Sequence, residues 1–151
     1  MKLEINKTSF KDAIKFLEKD DILGKYVKNI EPPKININED YFFSLCRYII
    51  FQQLSIKSAS ATFSRFTSLL NNNISAEQVL KQTEIKLKNT GMSFKKVEYL
   101  RILSQSFIDN SSFVGLKKMS NDDVLKTLSS IKGIGTWTAE MFLIFTMGRI
   151  D

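Results

Sequence analysis

The sequence predicts an all-α fold, and two observations support the prediction. Apolar residues recur at intervals of three and four along most of the 151-residue chain, which is the spacing of one helix face. Serine stands directly before several of these segments, as at the N-terminus of a helix. Residues 34–38 alternate in the manner of a strand, but no partner strand is evident. We therefore interpret this segment as a linker in preference to an edge strand.

Residues 1–38 are expected to hold two short helices and this linker. Residues 9–19 place their apolar side chains on one face, which predicts a short amphipathic helix. Residues 21–30 indicate a second helical segment. Pro32-Pro33 would end it, because proline cannot continue a helix.

The remainder, residues 39–151, is expected to form the helical core of a single domain over residues 1–151. Ser55 is the expected N-cap of one core helix, and Ser75 with Gln78 forms a capping box that opens another. The predicted helices run over residues 40–51, 55–70, 75–81, 84–89 and 93–107, with a loop at 110–118 and a helical hairpin at 120–148.

The hairpin is the segment around which the rest is arranged. Ser120 followed by Asp123 matches the N-cap signature of a first amphipathic helix. Gly133-Ile134-Gly135 then allows a sharp turn through positive φ, because glycine has no Cβ. Thr136 is expected to cap a second helix over residues 137–147, whose apolar residues lie on nearly all sides and predict burial.

Free amides at the glycine turn, beside Lys132, would form an anion site of the kind that binds nucleic-acid phosphate. The turn is equally typical of an ordinary helical hairpin with a glycine C-cap. A net charge of +6, from 22 Lys and Arg against 16 Asp and Glu, suits a polyanionic partner. The same excess of lysine is also typical of a genomic composition bias.

Several classes of protein are excluded by composition. The chain has no histidine, which removes Ser-His and Cys-His triads and the commonest zinc ligand. Cys46 lies in an apolar run and is expected to be a small core residue. No stretch approaches the roughly 20 apolar residues that cross a bilayer, so no membrane is expected. The first residues lack the apolar segment of a signal peptide, so we expect a cytoplasmic protein.

Three segments together carry a family resemblance: IIFQQLSIKSASATFSRF at residues 49–66, GMSFKKVEYL at 91–100 and KGIGTWTAEMFLIFTMGRID at 132–151. They resemble the helix-hairpin-helix DNA glycosylase superfamily, and most closely its DNA-3-methyladenine glycosylase II branch. The resemblance implies an all-α helix-hairpin-helix glycosylase fold that covers almost the whole chain but lacks its C-terminal part.

The resemblance implies a set of DNA-binding residues. Gln53, with Leu54 as the neighbouring candidate, would enter the duplex in place of a flipped nucleotide, a role that suits a flat amide. The other implied contacts are to the DNA backbone, from Lys95, Lys132, Gly133, Gly135 and Thr136. The alternatives are an exposed polar corner at Gln52-Gln53 without a function and a solvated basic pair at Lys95-Lys96.

By the same resemblance Trp137 and Met141 would line the pocket for the extracted base, the alternative for Trp137 being a plain core position. The bifunctional relatives carry a nucleophilic lysine where this chain has Trp137, so the resemblance implies a monofunctional mechanism with water as the attacking group. The family's catalytic aspartate would lie beyond Asp151, and the catalytic residue is therefore not assigned.

The resemblance further implies that the main-chain carbonyls of Ser129, Ile131 and Gly133 hold a monovalent cation; no other cofactor is expected. The expected partner is double-stranded DNA with alkylated bases, acted on by a monomer in the cytoplasm, or in the nucleus of a eukaryote. The expected function is excision of alkylated purines such as 3-methyladenine. The alternatives are a non-catalytic DNA-binding module and a purely structural helical protein, and the lesion preference is left open.

Overall fold

A computed structural model describes residues 2–4, 7–31, 34–109 and 111–149 of the chain. The chain divides into two compact units, Met1–Ile37 and Asn38–Asp151. The sequence predicts a helix break at Pro32-Pro33, which lies outside the described residues. Asp151 also lies outside them.

The first unit holds a small ribbon and two helices. Strand β1 (Lys2–Glu4) pairs antiparallel with β2 (Lys34–Asn36), Leu3 standing opposite Ile35. The interpretation of residues 34–38 as a linker is therefore wrong for Lys34–Asn36. Its partner strand is only 3 residues long, too short to show an alternating pattern of its own. Helices α1 (Lys7–Leu17) and α2 (Gly24–Val27) complete the unit. Both predicted helices are present, but the second is shorter than the predicted segment 21–30.

The second unit is helical in its described residues, and the prediction of an all-α fold is confirmed. Its helices are α3 (Tyr41–Phe51), α4 (Ile56–Leu69), α5 (Ala76–Lys81), α6 (Glu84–Asn89), α7 (Phe94–Asp109), a 3₁₀ helix (Ser111–Lys118), α8 (Asn121–Ser129), α9 (Thr136–Phe142) and a π-helical turn (Leu143–Met147).

The N-caps that the sequence predicts at three serines are confirmed. The hydroxyl of Ser55 accepts a hydrogen bond from the N–H of Ser58, at 3.3 Å. Ser75 and Ser120 accept equivalent bonds from the third residue after each of them, at 3.3 Å and 3.2 Å. These bonds satisfy N–H groups that no carbonyl of the same helix can reach, and so they fix where each helix begins.

The expectation of a loop at 110–118 is wrong for Ser111–Lys118, which forms the 3₁₀ helix. Residues three apart share one face of a 3₁₀ helix. Phe113 and Leu116 have this spacing and are both buried. The ring of Phe113 also stacks on Phe107 of α7, with 4.4 Å between their centroids.

Helix α7 packs against α3, α5 and α6, and α8 packs against α9. The largest fully buried side chains belong mainly to these helices, among them Leu45, Ile49, Leu100, Leu103, Leu128 and Phe142. Cys46 is fully buried among them, as expected of a core residue, and burial raises the pKa of its thiol.

The second helix of the hairpin differs from the prediction in form and in burial. It is α-helical only over Thr136–Phe142 and continues as the π-helical turn Leu143–Met147. The prediction of burial on all sides is wrong for Trp137 and Phe145, whose side chains are 67% and 51% exposed. No helix in the described ranges is long and apolar enough to cross a membrane.

Candidate nucleic-acid interface

Gly133, the first glycine of the hairpin turn, is required by the fold for two reasons. Its φ of +98° lies where side chains are strongly disfavoured. A Cβ at this position would clash with Cγ of the Tyr99 ring. The ring of Tyr99 therefore packs directly on the turn, and the hairpin is fixed to α7 at this point.

Gly135 differs from Gly133 in both respects. Its φ is −87°, so the turn passes through positive φ at Gly133 and not at Gly135. A Cβ built on Gly135 would meet no atom within 4 Å. Gly135 is also the N-cap of α9, where Thr136 had been expected; Thr136 is the first residue of the helix. Neither the backbone angle nor the packing requires glycine at this position.

The turn presents unpaired amides. The N–H groups of Gly133 and Gly135 donate to no other atom in the part of the chain that the structure describes. The N–H of Thr136 begins α9, where the helix itself offers no acceptor. Three amide donors thus lie within four residues of an exposed turn, an arrangement that suits an anionic oxygen.

The corner between α3 and α4 carries the second group of candidate residues. Gln53 has a φ of +54°, in the left-handed region that residues other than glycine rarely adopt. Its side chain is exposed, and that of the adjacent Leu54 is 39% exposed. A strained backbone of this kind persists only where the surrounding structure holds it in place. Such conformations are concentrated at functional sites.

Gln52 connects this corner to the hairpin. Its side-chain amide nitrogen Nε2 donates to the carbonyl oxygen of Gly133, at 2.9 Å. The same atom lies 3.5 Å from Oγ1 of Thr138, in the first turn of α9. The structure thereby brings together two groups of candidate residues that the sequence placed on separate segments.

Lys96, on α7, holds the backbone of Gln52. Its Nζ donates to the carbonyls of Ile50 and Gln52, at 2.8 Å and 2.7 Å, and so caps the C-terminal end of α3. Partial burial lowers the pKa of Lys96, because a charged amine is harder to maintain away from water. Lys96 is therefore occupied within the fold, whereas Lys95 is exposed, its Nζ 5.9 Å from the ring centre of Tyr99.

Lys132 is paired within the chain. Its Nζ contacts the carboxylate of Glu98, and this hydrogen bond raises the pKa of Lys132. Both side chains are about half exposed, so water screens the ion pair and its contribution to stability is small. A DNA phosphate would have to compete with Glu98 for this lysine.

The two candidate pocket residues lie on α9. Trp137 is 67% exposed, so the alternative interpretation of Trp137 as a plain core residue is wrong. Met141 is partly buried, and its carbonyl accepts a hydrogen bond from the hydroxyl of Tyr48, at 3.3 Å. The same hydroxyl lies 3.2 Å from Oγ1 of Thr146 and so joins α3 to the π-helical turn.

Carbonyl oxygens are ligands that hard cations accept, so the three predicted cation ligands suit a cation by type. The carbonyl of Ile131 already accepts from the N–H of Ile134, at 3.0 Å, and that of Gly133 accepts from Gln52. Each of these two oxygens has one lone pair left for a cation. Ser129, the third, is the last residue of α8.

Sequence reasoning missed the roles of Gln52, Lys96 and Tyr99. A signal was available for two of them, because Lys96 and Tyr99 lie in the segment GMSFKKVEYL, one of the three that carry the family resemblance. The structure assigns both to contacts within the chain: Lys96 with the end of α3, and Tyr99 with Gly133.

Comparison with known proteins identifies the family. No family model matches the chain. The sequence is 33% identical over 135 residues to DNA-3-methyladenine glycosylase 1 of Schizosaccharomyces pombe, a match that covers 85% of this chain and 58% of that protein. The crystal structure of a DNA-3-methyladenine glycosidase from Bacillus halodurans superposes with a TM-score of 0.81 at 30% identity, over 100% of this chain and 69% of the other. The chain belongs to the DNA-3-methyladenine glycosylase family.

A second solved member of this glycosylase family is a Schizosaccharomyces pombe 3-methyladenine DNA glycosylase in complex with abasic DNA. It superposes with a TM-score of 0.76 at 28% identity, over 91% of this chain and 71% of the other. The chain nevertheless spans only 58% of the length of DNA-3-methyladenine glycosylase 1 of Schizosaccharomyces pombe.

The two glycines should respond to substitution in opposite ways. Gly133→Ala should lower the free energy of unfolding by at least about 1–2 kcal/mol, because it forces a side chain into a left-handed conformation against Tyr99. Gly135→Ser should leave it unchanged or raise it by a few tenths of a kcal/mol, since serine is a better N-cap than glycine. Urea unfolding followed by circular dichroism measures both, and equal destabilisation would contradict this assignment.

Proposed function

We propose that the chain is the major part of a base-excision repair glycosylase. This enzyme would flip an alkylated purine such as 3-methyladenine out of duplex DNA and hydrolyse the bond between base and sugar. The observation that carries the proposal is the link from Gln52 to Gly133, because it brings the Gln53 corner beside the glycine turn in a member of this family. A protein that flips bases needs such a pair, one segment to hold the backbone and one to fill the gap.

The glycine turn is the proposed phosphate anchor. Gly133, Gly135 and Thr136 would donate their amides to backbone oxygens of the DNA, with the exposed Lys95 and, after exchange with Glu98, Lys132 nearby. The open space at Gly135 supports this role, since a residue that neither packing nor φ requires to be glycine is consistent with close approach of a ligand. The related glycosylase bound to abasic DNA supports a DNA partner.

Gln53, with Leu54 beside it, is the proposed wedge. An amide at this position has a flat face that can stack and groups that can hydrogen-bond the base left without a partner. Its left-handed backbone and exposed side chain are consistent with a residue held outward for a partner.

Trp137 and Met141 are the proposed wall of the base pocket. An exposed indole face would favour a cationic alkylated base over a neutral normal base by cation–π attraction of about 0.5–2 kcal/mol. Because Trp137 stands where the bifunctional relatives carry lysine, the proposed mechanism is monofunctional, with water attacking the sugar. The carboxylate that stabilises positive charge on the sugar is proposed to lie beyond Asp151.

The remaining expectations are also proposals. The carbonyls of Ser129, Ile131 and Gly133 would hold a monovalent cation, whose charge would offset that of a DNA phosphate at the turn. The protein is proposed to act as a monomer, in the compartment that contains the DNA: the cytoplasm, or the nucleus in a eukaryote.

The first test of the function is release of free alkylated base from methylated duplex DNA. We expect release by the longest chain that the reading frame encodes, and binding without release by residues 1–151. Release by residues 1–151 would show that a carboxylate within them does the chemistry, and Asp151 would be the first to substitute. Duplex binding with no release by either chain would instead favour a non-catalytic DNA-binding module.

The phosphate anchor predicts that Gly135→Asp weakens binding to duplex DNA on the order of tenfold, whatever its sequence, because a carboxylate there repels the backbone. Gly135→Asn is the matched control, since asparagine has the same size and caps a helix equally well but carries no charge. Titration with two unrelated duplexes at one fixed salt concentration measures the effect. Equal affinities of the two variants would contradict a phosphate at Gly135.

The wedge predicts that Gln53→Ala weakens binding to an abasic-site duplex more than binding to the intact duplex of the same sequence. The expected difference is several-fold, since stacking on one base is worth about 1–3 kcal/mol at most. Asn72→Ala is the matched control, because Asn72 is another exposed amide in the left-handed region, with a φ of +59°. An equal loss on both duplexes would contradict the wedge.

A further inference from the structure

We infer that Gln52 is a positioning residue that holds the wedge corner in register with the phosphate anchor, an inference that rests on the proposed function. Gln52 precedes Gln53 in the chain, and its side chain extends to the hairpin. Its Nε2 donates to the carbonyl of Gly133, 81 residues further along, at 2.9 Å. Within the described ranges, no hydrogen bond joins the proposed wedge residues, Gln53 and Leu54, to the proposed anchor residues at the glycine turn.

The hydrogen bond from Gln52 to Gly133 joins the proposed wedge to the proposed phosphate anchor. Its acceptor is the residue whose amide belongs to the proposed anchor, and its donor is the side chain directly before the proposed wedge. Both ends are partly buried, so the bond is less exposed to competition from water than a surface contact. A change at Gln52 thus alters the spacing of the two segments without removing any group that would touch DNA.

Lys96 provides a second attachment, to the backbone of Gln52. Its Nζ fixes the carbonyls of Ile50 and Gln52, so the backbone of Gln52 is held from α7 while its side chain is held by the hairpin. If the side chain of Gln52 turned toward solvent, its bond to Gly133 would be lost, while Lys96 would still hold the backbone carbonyl. The corner in which Gln53 adopts a φ of +54° lies immediately after this doubly anchored residue.

Fixed spacing matters because the two segments must engage one duplex at the same time. When one segment is bound, a rigid link presents the other at a high effective concentration. Displacement of a positioned group by about 1 Å is enough to lose much of the benefit. Loss of the link should therefore reduce the preference for a duplex that has a gap to fill, while backbone binding by the anchor persists.

The test compares affinities for an abasic-site duplex and for the intact duplex of the same sequence. Gln52→Met preserves the size of the side chain and removes its donor, and the ratio of the two affinities should fall several-fold, by no more than it falls in Gln53→Ala. The affinity for intact duplex should change little. Gln105→Met is the matched control, because Gln105 also donates an amide hydrogen bond, to Asp109 at 2.8 Å, within α7.

Two further variants separate positioning from a loss of folded protein, which would lower both affinities by one factor and leave their ratio unchanged. Lys96→Met should lower the ratio in the same direction and serves as the second test if Gln52→Met does not fold. Adding Gln53→Ala to Gln52→Met should lower the ratio little further, since the wedge is then already out of register.

An unchanged ratio in the folded variants would overturn the inference, as would an equal fall in Gln105→Met. Full additivity of Gln52→Met and Gln53→Ala would also overturn it, because Gln52 would then act independently of the wedge. If the unaltered protein shows no preference for the abasic-site duplex, the proposed wedge function itself fails, and the inference fails with it.

Discussion

The close packing of Tyr99 on Gly133 is the contact on which the arrangement of the site depends. A backbone with no side chain allows the aromatic ring to lie against the turn, and this sets the distance between α7 and the hairpin. Lys96, one helical turn before Tyr99, fixes the end of α3 to the same helix. The two candidate DNA-binding segments are therefore both held by the first two turns of α7.

Neighbouring residues at this site have opposite tasks. Gly133 serves the fold, whereas Gly135 has space and backbone freedom that the fold does not use. Lys96 bonds to carbonyls within the chain, whereas Lys95 is exposed. Gln52 extends inward to the hairpin, and Gln53 is exposed. In each of the three pairs, one member makes a close contact within the fold and the other is exposed.

The sequence predicted what is determined locally. Helix starts at Ser55, Ser75 and Ser120 were predictable because each cap bonds an amide three residues away. The bond from Gln52 to Gly133 spans 81 residues and leaves no periodic signal. The exposure of Trp137 could not be predicted either. The spacing of apolar residues shows that a helix forms, but it does not show which side of that helix other elements cover.

The role of α7 also constrains changes in chain length. Lys96 and Tyr99 lie three residues apart on one face of the helix, and each contacts a different segment. One residue inserted between Ser93 and Lys96 would rotate both side chains by about 100° around the helix axis relative to its start. The turn at Asn71–Asn73 is exposed and carries no such contacts. Insertions and deletions in relatives of this chain should therefore accumulate at that turn and be rare at the start of α7.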